Sequence, residues 1–168
     1  VYASGFETGS AFHERAGYDA VGRDGLRLSA HWADGMRTLH GIHSRGFPNM
    51  FIVQPSQGAN LISNVPHNLV EAGQTIAAVI GHAIAGGFTQ VEVTGEEEDR
   101  WVRLLKSAPQ RLTVIGSPDC TPGYYNNEGD GPNAHTSLML GYPQGPVAYF
   151  RYLDQWRASG SFTGLEFR

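Results

Sequence analysis

Met50-Phe51-Ile52-Val53, then Gln54-Pro55-Ser56-Gln57-Gly58-Ala59-Asn60-Leu61-Ile62-Ser63-Asn64, a long run from Val65 to Gly87, and Gln90-Val91-Glu92-Val93-Thr94 form the stretch whose reading decides the fold. The four leading residues are apolar without a break, the pattern of a strand covered on both faces, and they predict a central strand. The polar, glycine-containing loop that follows leads into the strongest helical pattern of the chain. There Leu69, Ala72, Ile76, Ile80 and Ala83 recur at spacings of three and four. Asn64 or Val65 supplies the cap, Pro66 sits in the tolerated first turn, and Gly86-Gly87 stops the helix. Gln90 to Thr94 alternates as a half-buried strand does. Residues 50–94 therefore predict one β-loop-α-β unit, and the fold class is α/β.

Downstream, Thr94 can cap a second helix, with Glu97 reaching back and Trp101, Leu104 and Leu105 as its buried stripe. The acidic run Glu96-Glu97-Glu98-Asp99 reads as a solvated helix start that complements the positive end. Pro118 through Pro146 is loop. Val147, Phe150, Leu153 and Trp156-Arg157 mark a final helix ending at Gly160, and Gly164-Leu165-Glu166-Phe167 a last short strand. Upstream, residues 6–47 are broken by frequent glycines and read as a winding excursion, with short strands around Leu26-Arg27-Leu28 and Thr38-Leu39-His40.

Composition agrees with a loop-rich chain. Of 168 residues, 22 are Gly and 9 Pro, and only 17% are charged, against roughly 25% in an average soluble domain. Aromatic residues make up 11%, more than isolated loops need, so the loops are expected beside a ligand or against another part of a protein. The net charge of −4 and the single lysine, Lys106, leave no basic stripe for nucleic acid. The longest uninterrupted apolar run, Ile76 to Ile80, is far short of the roughly 20 residues of a membrane span. The lone Cys120 fits a reducing, cytoplasmic setting. Val1-Tyr2-Ala3-Ser4-Gly5 reads as the end of a buried strand running into a glycine turn, which suggests a piece of a longer polypeptide, incomplete on its own and prone to self-association.

The loop from Gln54 to Asn64 is the best-placed site. It leaves the carboxyl end of a strand and delivers the chain to a helix amino terminus, where ligands settle in open α/β sheets and where unpaired N–H groups favour an anion. An ordinary connection is the competing reading. His40-Gly41-Ile42-His43 has a metal-like spacing without a third ligand nearby, so solvated or hydrogen-bonding histidines are expected. Asn126-Asn127-Glu128-Gly129-Asp130-Gly131 lacks the ordered oxygen ligands of a calcium loop, and Cys120 has no adjacent base.

Tyr2-Ala3-Ser4-Gly5-Phe6-Glu7, Gly22-Arg23-Asp24-Gly25-Leu26, Trp32-Ala33-Asp34-Gly35, His40-Gly41-Ile42, Gly46-Phe47-Pro48-Asn49-Met50-Phe51, Glu96-Glu97-Glu98-Asp99-Arg100-Trp101 and Pro122-Gly123-Tyr124-Tyr125-Asn126-Asn127 follow one another in an order and spacing that resembles the C-terminal part of Baeyer–Villiger monooxygenases, in the branch acting on steroid-like or polycyclic ketones. The resemblance covers essentially the whole chain. It implies a loop-rich C-terminal part of a flavoprotein with two dinucleotide-binding, Rossmann-like domains. Residues 1–168 would then belong to the FAD-binding domain, with 1–7 as the interdomain strand end, 50–94 as the β-loop-α-β unit and 118–146 as a late loop.

The activity implied is insertion of one oxygen atom from O2 into a bulky ketone, giving an ester or lactone, with FAD, NADPH and a peroxyflavin. Cofactor contacts fall by resemblance on Ser4, Gly5, Phe6, Gln54, Pro55, Asn64 and Val65. Substrate contacts fall on Gln57, Gly58, Ala59, Asn60 and Leu61, and NADP or lid contacts on Thr121, Tyr124, Tyr125 and Asn126. The family's catalytic arginine and its glycine-rich fingerprints would precede Val1, so the remainder of the polypeptide is an implied partner. A non-catalytic module derived from such an enzyme, or a related N- or S-oxidising flavin monooxygenase, is the alternative. Gln54-Pro55-Ser56-Gln57 stands where many relatives have Gly-Pro, and the late loop lacks the tryptophan that commonly approaches the nicotinamide cofactor.

Overall fold

The structure, a computed structural model, describes residues 12–54, 56–59, 63–107 and 140–168. Two short helical segments, α1 (Phe12–Ala16) and α2 (Leu28–His31), lie in the winding first part. They are followed by α3 (Val65–Gly86), β1 (Val91–Val93), α4 (Gly95–Ser107), α5 (Pro146–Ser159) and β2 (Leu165–Phe167). The mixture of helix and strand agrees with the expected class, and the loop-rich first part with the glycine pattern.

Helix α3 begins and ends where its punctuation indicates. The Asn64 side chain accepts from His67 N at 3.1 Å, Pro66 lies in the first turn, and Gly87 closes the helix in the left-handed conformation. Thr94 Oγ1 likewise accepts from Glu97 N at 3.3 Å at the start of α4. The Glu97 side chain does not complete a capping box but turns to Arg100, at 2.5 and 2.9 Å.

The sheet differs from expectation. β1 pairs antiparallel with β2, in the register Val91 to Phe167 and Val93 to Leu165. Met50-Phe51-Ile52-Val53 is extended but is not a strand. Asn49, at φ 58°, makes the contact with β1: its N–H donates to the Val91 carbonyl at 2.9 Å, and its side chain bridges Val91 N and the Thr89 carbonyl. That left-handed turn swings the next residues away, and Ile52 N bonds instead to the Ile42 carbonyl at 2.9 Å. Hydrogen bonds divided between two segments build no ladder. The 50–94 unit is thus loop-α-β. The strands expected near Leu26 and Leu39 are reduced to the single bridges Val21 to Arg27 and Leu39 to His43.

Among the described residues, burial forms two patches. Leu39, Ala59, Trp101, Leu105, Tyr149 and Leu153 pack together between α4 and α5. Val79 and Ala83 of α3 meet Val91, Trp156 and Phe162 in the second. On α3 the buried side is Asn68, Ala72, Thr75, Val79 and Ala83, so the expected stripe is rotated. Leu69 and Ile80 lie toward solvent, with Val70 54% and Ile84 74% exposed. Contrary to the reading of its short apolar run, α3 is long and apolar enough to cross a membrane by length and composition alone. Here it is tied to α5: Arg157 Nη1 bonds Glu71 Oε2 at 2.9 Å and Thr75 Oγ1 at 3.0 Å.

Candidate functional site

The segment from Gln54 to Val65 starts inside the fold and ends on its surface. Gln57 is 1% exposed at φ 59°. Its Nε2 donates to the Met36 carbonyl at 2.6 Å, its Oε1 accepts from Thr38 Oγ1 at 2.6 Å, and its carbonyl accepts from Trp101 Nε1 at 3.2 Å. Gly58 lies so close to Tyr149 that an added Cβ would stand 2.5 Å from the ring, and its carbonyl accepts from Tyr142 N at 2.8 Å. The Ala59 methyl belongs to the core patch.

Resemblance gives these three positions substrate contacts; the geometry shows them engaged within the fold. Their side chains and surfaces are used in packing and in hydrogen bonds within the fold. Gln54 is half-buried, with Nε2 3.2 Å from Met36 Sδ. Asn64 and Val65 stand exposed together at the start of α3, as a contact with a ligand there would require. Ser4, Gly5, Phe6, Pro55, Asn60, Leu61, Thr121, Tyr124, Tyr125 and Asn126, as well as Cys120 and the 126–131 segment, lie outside the described residues.

Electrostatically, the two helix starts contrast. α4 carries Glu96, Glu97 and Glu98 in its first turn, whereas α3 has no acidic residue there. The partial positive charge at the start of α3 is left without a carboxylate of its own helix, and the turn is open to solvent, which favours an anionic group from elsewhere.

Sequence reasoning missed the polar interior behind the loop. Glu98, expected in solvent, is fully buried. It accepts from Arg45 N at 2.8 Å and lies 3.1 Å from His31 Nε2 and 3.5 Å from the Arg37 guanidinium. Burial alone would raise its pKa, but the bonds from His31 and Arg45 and the Arg37 charge outweigh this and hold it below the usual carboxylate value. The signal was present: Glu98, Trp101, Val102 and Leu105 share one helical face.

His40 and His43 are buried as well, and of the two expected alternatives, solvated or hydrogen-bonding, His40 takes the second. His40 packs edge-on among Trp101, Tyr152 and Trp156, with Nε2 3.0 Å from the Tyr152 hydroxyl, and its carbonyl accepts from the Tyr149 hydroxyl at 2.8 Å. Burial holds both histidines neutral, His40 well below its ordinary pKa, helped by His43 and Arg100, and His43 down to about 3. Among the described residues no cluster of three metal-ligating side chains occurs. A cavity of about 610 Å³ opens beside Val21, Arg23, Phe47, Met50 and Gln90, lined by none of the described residues between 54 and 65.

This arrangement of folded elements is shared with solved ketone monooxygenases. It superposes on a polycyclic ketone monooxygenase from Thermothelomyces thermophila with a TM-score of 0.77, at 35% identity, over 95% of this chain and 26% of that one. In sequence the chain is 41% identical to pentalenolactone D synthase from Streptomyces exfoliatus over 100% of its own length and 29% of that protein. It is 33% identical to Baeyer–Villiger monooxygenase 4 from Dietzia sp. over 99% of its length and 27% of that protein. No family model matches. The chain is thus homologous, along its whole length, to a part of the Baeyer–Villiger monooxygenases, and spans little more than a quarter of the length of the curated relatives it matches.

Proposed function

We propose that this chain is the C-terminal portion of an FAD- and NADPH-dependent Baeyer–Villiger monooxygenase with two Rossmann-like domains, acting on a bulky, polycyclic ketone. The observation that carries the reading is homology over the whole chain. Relatives include a protein named as FAD-binding, and a solved neighbour is a steroid monooxygenase bound to NADP. The overall reaction balances as ketone, O2, NADPH and a proton giving ester or lactone, NADP⁺ and water.

The residues at the start of α3 fit a flavin. An uncountered helix amino terminus with Asn64 and Val65 exposed suits a group that gains negative charge on reduction. Asn64 and Val65, with Gln54, Pro55 and, by resemblance, Ser4, Gly5 and Phe6, would hold it. When bound, the flavin supplies the redox chemistry, accepting hydride from NADPH and handing oxygen to the ketone. The chain's own contribution is to orient: Asn64 fixes the first turn by accepting from His67 N. The 56–59 anchor fixes where the loop leaves the core. Asn60 and Leu61, between the anchor and the cap, are the substrate contacts retained by this reading, and Thr121, Tyr124, Tyr125 and Asn126 the contacts to NADP or a lid.

The test is a ketone panel with the complete polypeptide, following NADPH consumption and ester formation. Leu61→Ala should shift the preference between two ketones of different bulk by about 10- to 200-fold while leaving flavin reduction by NADPH unchanged. A flavin-loaded protein that forms ester from no ketone overturns the reading.

A further inference from the structure

Thr38 and Gln57 make a closed hydrogen-bonded unit behind the loop. Both are buried, at 0% and 1% exposure. The Thr38 hydroxyl donates to Gln57 Oε1 at 2.6 Å and accepts from Gly41 N at 3.0 Å, while Gln57 Nε2 donates to the Met36 carbonyl at 2.6 Å. Trp101 of α4 holds the Gln57 carbonyl at 3.2 Å. Gly41, at φ 73°, lets Ser56 approach so closely that a Cβ there would stand 2.5 Å from the Ser56 carbonyl oxygen. Gln57 itself sits at φ 59°, a conformation a non-glycine residue keeps only where its surroundings over-determine it.

Such strain, held by every polar atom of one side chain, is more than a connection needs. We infer that the Thr38–Gln57 pair is a positioning device that sets the direction in which Gly58 and Ala59 leave the core, and so sets which ketones the enzyme accepts. This rests on the functional reading above, because the loop matters to selectivity only if it lies beside flavin and ketone. Neither residue touches the ketone: Thr38 acts through Gln57, and Gln57 through the backbone of Gly58 and Ala59. Gly58 passes the constraint on, since Tyr142 N and the Tyr149 ring fix its carbonyl and its open side. From there the chain has only the span to Asn64, whose cap pins the far end.

The experiment compares Thr38→Val, which keeps shape and loses the hydroxyl, with Thr38→Ser, which keeps the hydroxyl, in the complete flavin-loaded enzyme. Thr38→Val is expected to change the product ratio on a small and a bulky ketone by about tenfold and to lower ester formed per NADPH consumed, because a small misplacement of reacting groups is costly. Flavin reduction by NADPH should stay unchanged, and Thr38→Ser should restore the wild-type ratio. Independently of turnover, amide exchange of Gly58, Ala59 and Ser63 should quicken by about tenfold in Thr38→Val while α4 and α5 keep their protection. A Thr38→Val enzyme with wild-type product ratio and coupling, whatever its melting temperature, overturns the inference. If Thr38→Val does not fold, Gln57→Met removes the same bonds at similar volume. Failure of both to fold shows that the pair holds the fold rather than aims the loop, and also overturns it. Absence of ester formation by the wild type would instead fail the functional reading, and the exchange comparison would still decide whether the pair aims the loop.

Discussion

Glu98 and His31, separated by 67 positions, meet in the interior with the carboxylate 3.1 Å from the imidazole Nε2. Their contact ties the start of α4 to α2, and Arg45 N, the Ser44 hydroxyl and Arg37 also surround the carboxylate. Glu98→Ala leaves those donors without their acceptor and should cost about 3–5 kcal/mol; Glu98→Gln, which keeps the shape, about 1.5–3 kcal/mol. Because the folded pKa lies below the ordinary value of 4.5, the stabilisation is present above that value and is lost as pH falls through the folded pKa. Urea midpoints of the three proteins between pH 7 and pH 3 measure both effects. Equal midpoints for wild type and Glu98→Ala would contradict the account.

The buried histidines add an earlier loss. His40 and His43 are neutral in the fold, and the unfolded chain binds protons near pH 6.5. Stability is therefore full above pH 6.5 and falls as pH is lowered, until the folded pKa of about 3 is reached for His43. Each histidine contributes a slope of about 1.4 kcal/mol per pH unit inside that window. His43→Leu, replacing a ring packed against Phe51, should remove about half of the slope between pH 6.5 and 5. An unchanged slope would show that His43 does not titrate on unfolding.

What the sequence made legible, and what it hid, follows from the range of the interactions. Helices α3, α4 and α5 were readable because caps, glycine stops and apolar spacing are local. Asn64, Thr94 and Gly87 act within one turn of themselves. The strand at Met50 was misread because a continuous apolar run says that residues are covered, not what they pair with. Asn49 settled that through a left-handed turn no pattern encodes. The burial of Glu98 and the interior bonds of Gln57 stay hidden for the same reason. Their partners, His31 and Arg45 for one and Met36 and Thr38 for the other, come from the glycine-rich excursion that carried no periodicity. The exposed start of α3 was legible, since Asn64 and Pro66 announce it and the absence of acidic residues in that turn is written in the sequence.

Gly58 and Tyr149 provide a packing test. The space a Cβ would need at position 58 is filled by the tyrosine ring at 2.5 Å, and that ring is held by its hydroxyl bond to the His40 carbonyl. Gly58→Ala must push the ring or bend the loop, and should cost about 1–3 kcal/mol. Tyr149→Phe loses only the hydroxyl and should cost about 0.5–1.5 kcal/mol. The two substitutions should not add, because a ring freed from His40 can yield to the new methyl. Melting curves of the double mutant decide: a cost equal to the sum of the single costs would mean that the ring does not respond to position 58.

The outer face of α3 yields the last prediction. Val70 and Ile84, at 54% and 74% exposure, lie in line with Ala77 on the side turned away from α5, and Ile80 is 40% exposed beside them. Contiguous apolar surface of this kind is unfavourable in water and marks a face that another surface covers. In the proposed enzyme the cover is the remainder of the polypeptide, since this chain spans only 29% of the pentalenolactone D synthase it matches. Expressed alone, the chain should therefore associate with other copies of itself through α3. Val70→Glu combined with Ile84→Glu places charge at both ends of the stripe without touching the buried Ala72, Thr75, Val79 or Ala83. Sedimentation should show the wild-type chain as a concentration-dependent oligomer and the double variant as a monomer. The same double variant in the complete polypeptide should lower the melting temperature, because there the charges are forced against the covering surface. A wild-type chain that is monomeric at every concentration, together with a complete protein indifferent to both charges, would show that this face is simply solvated.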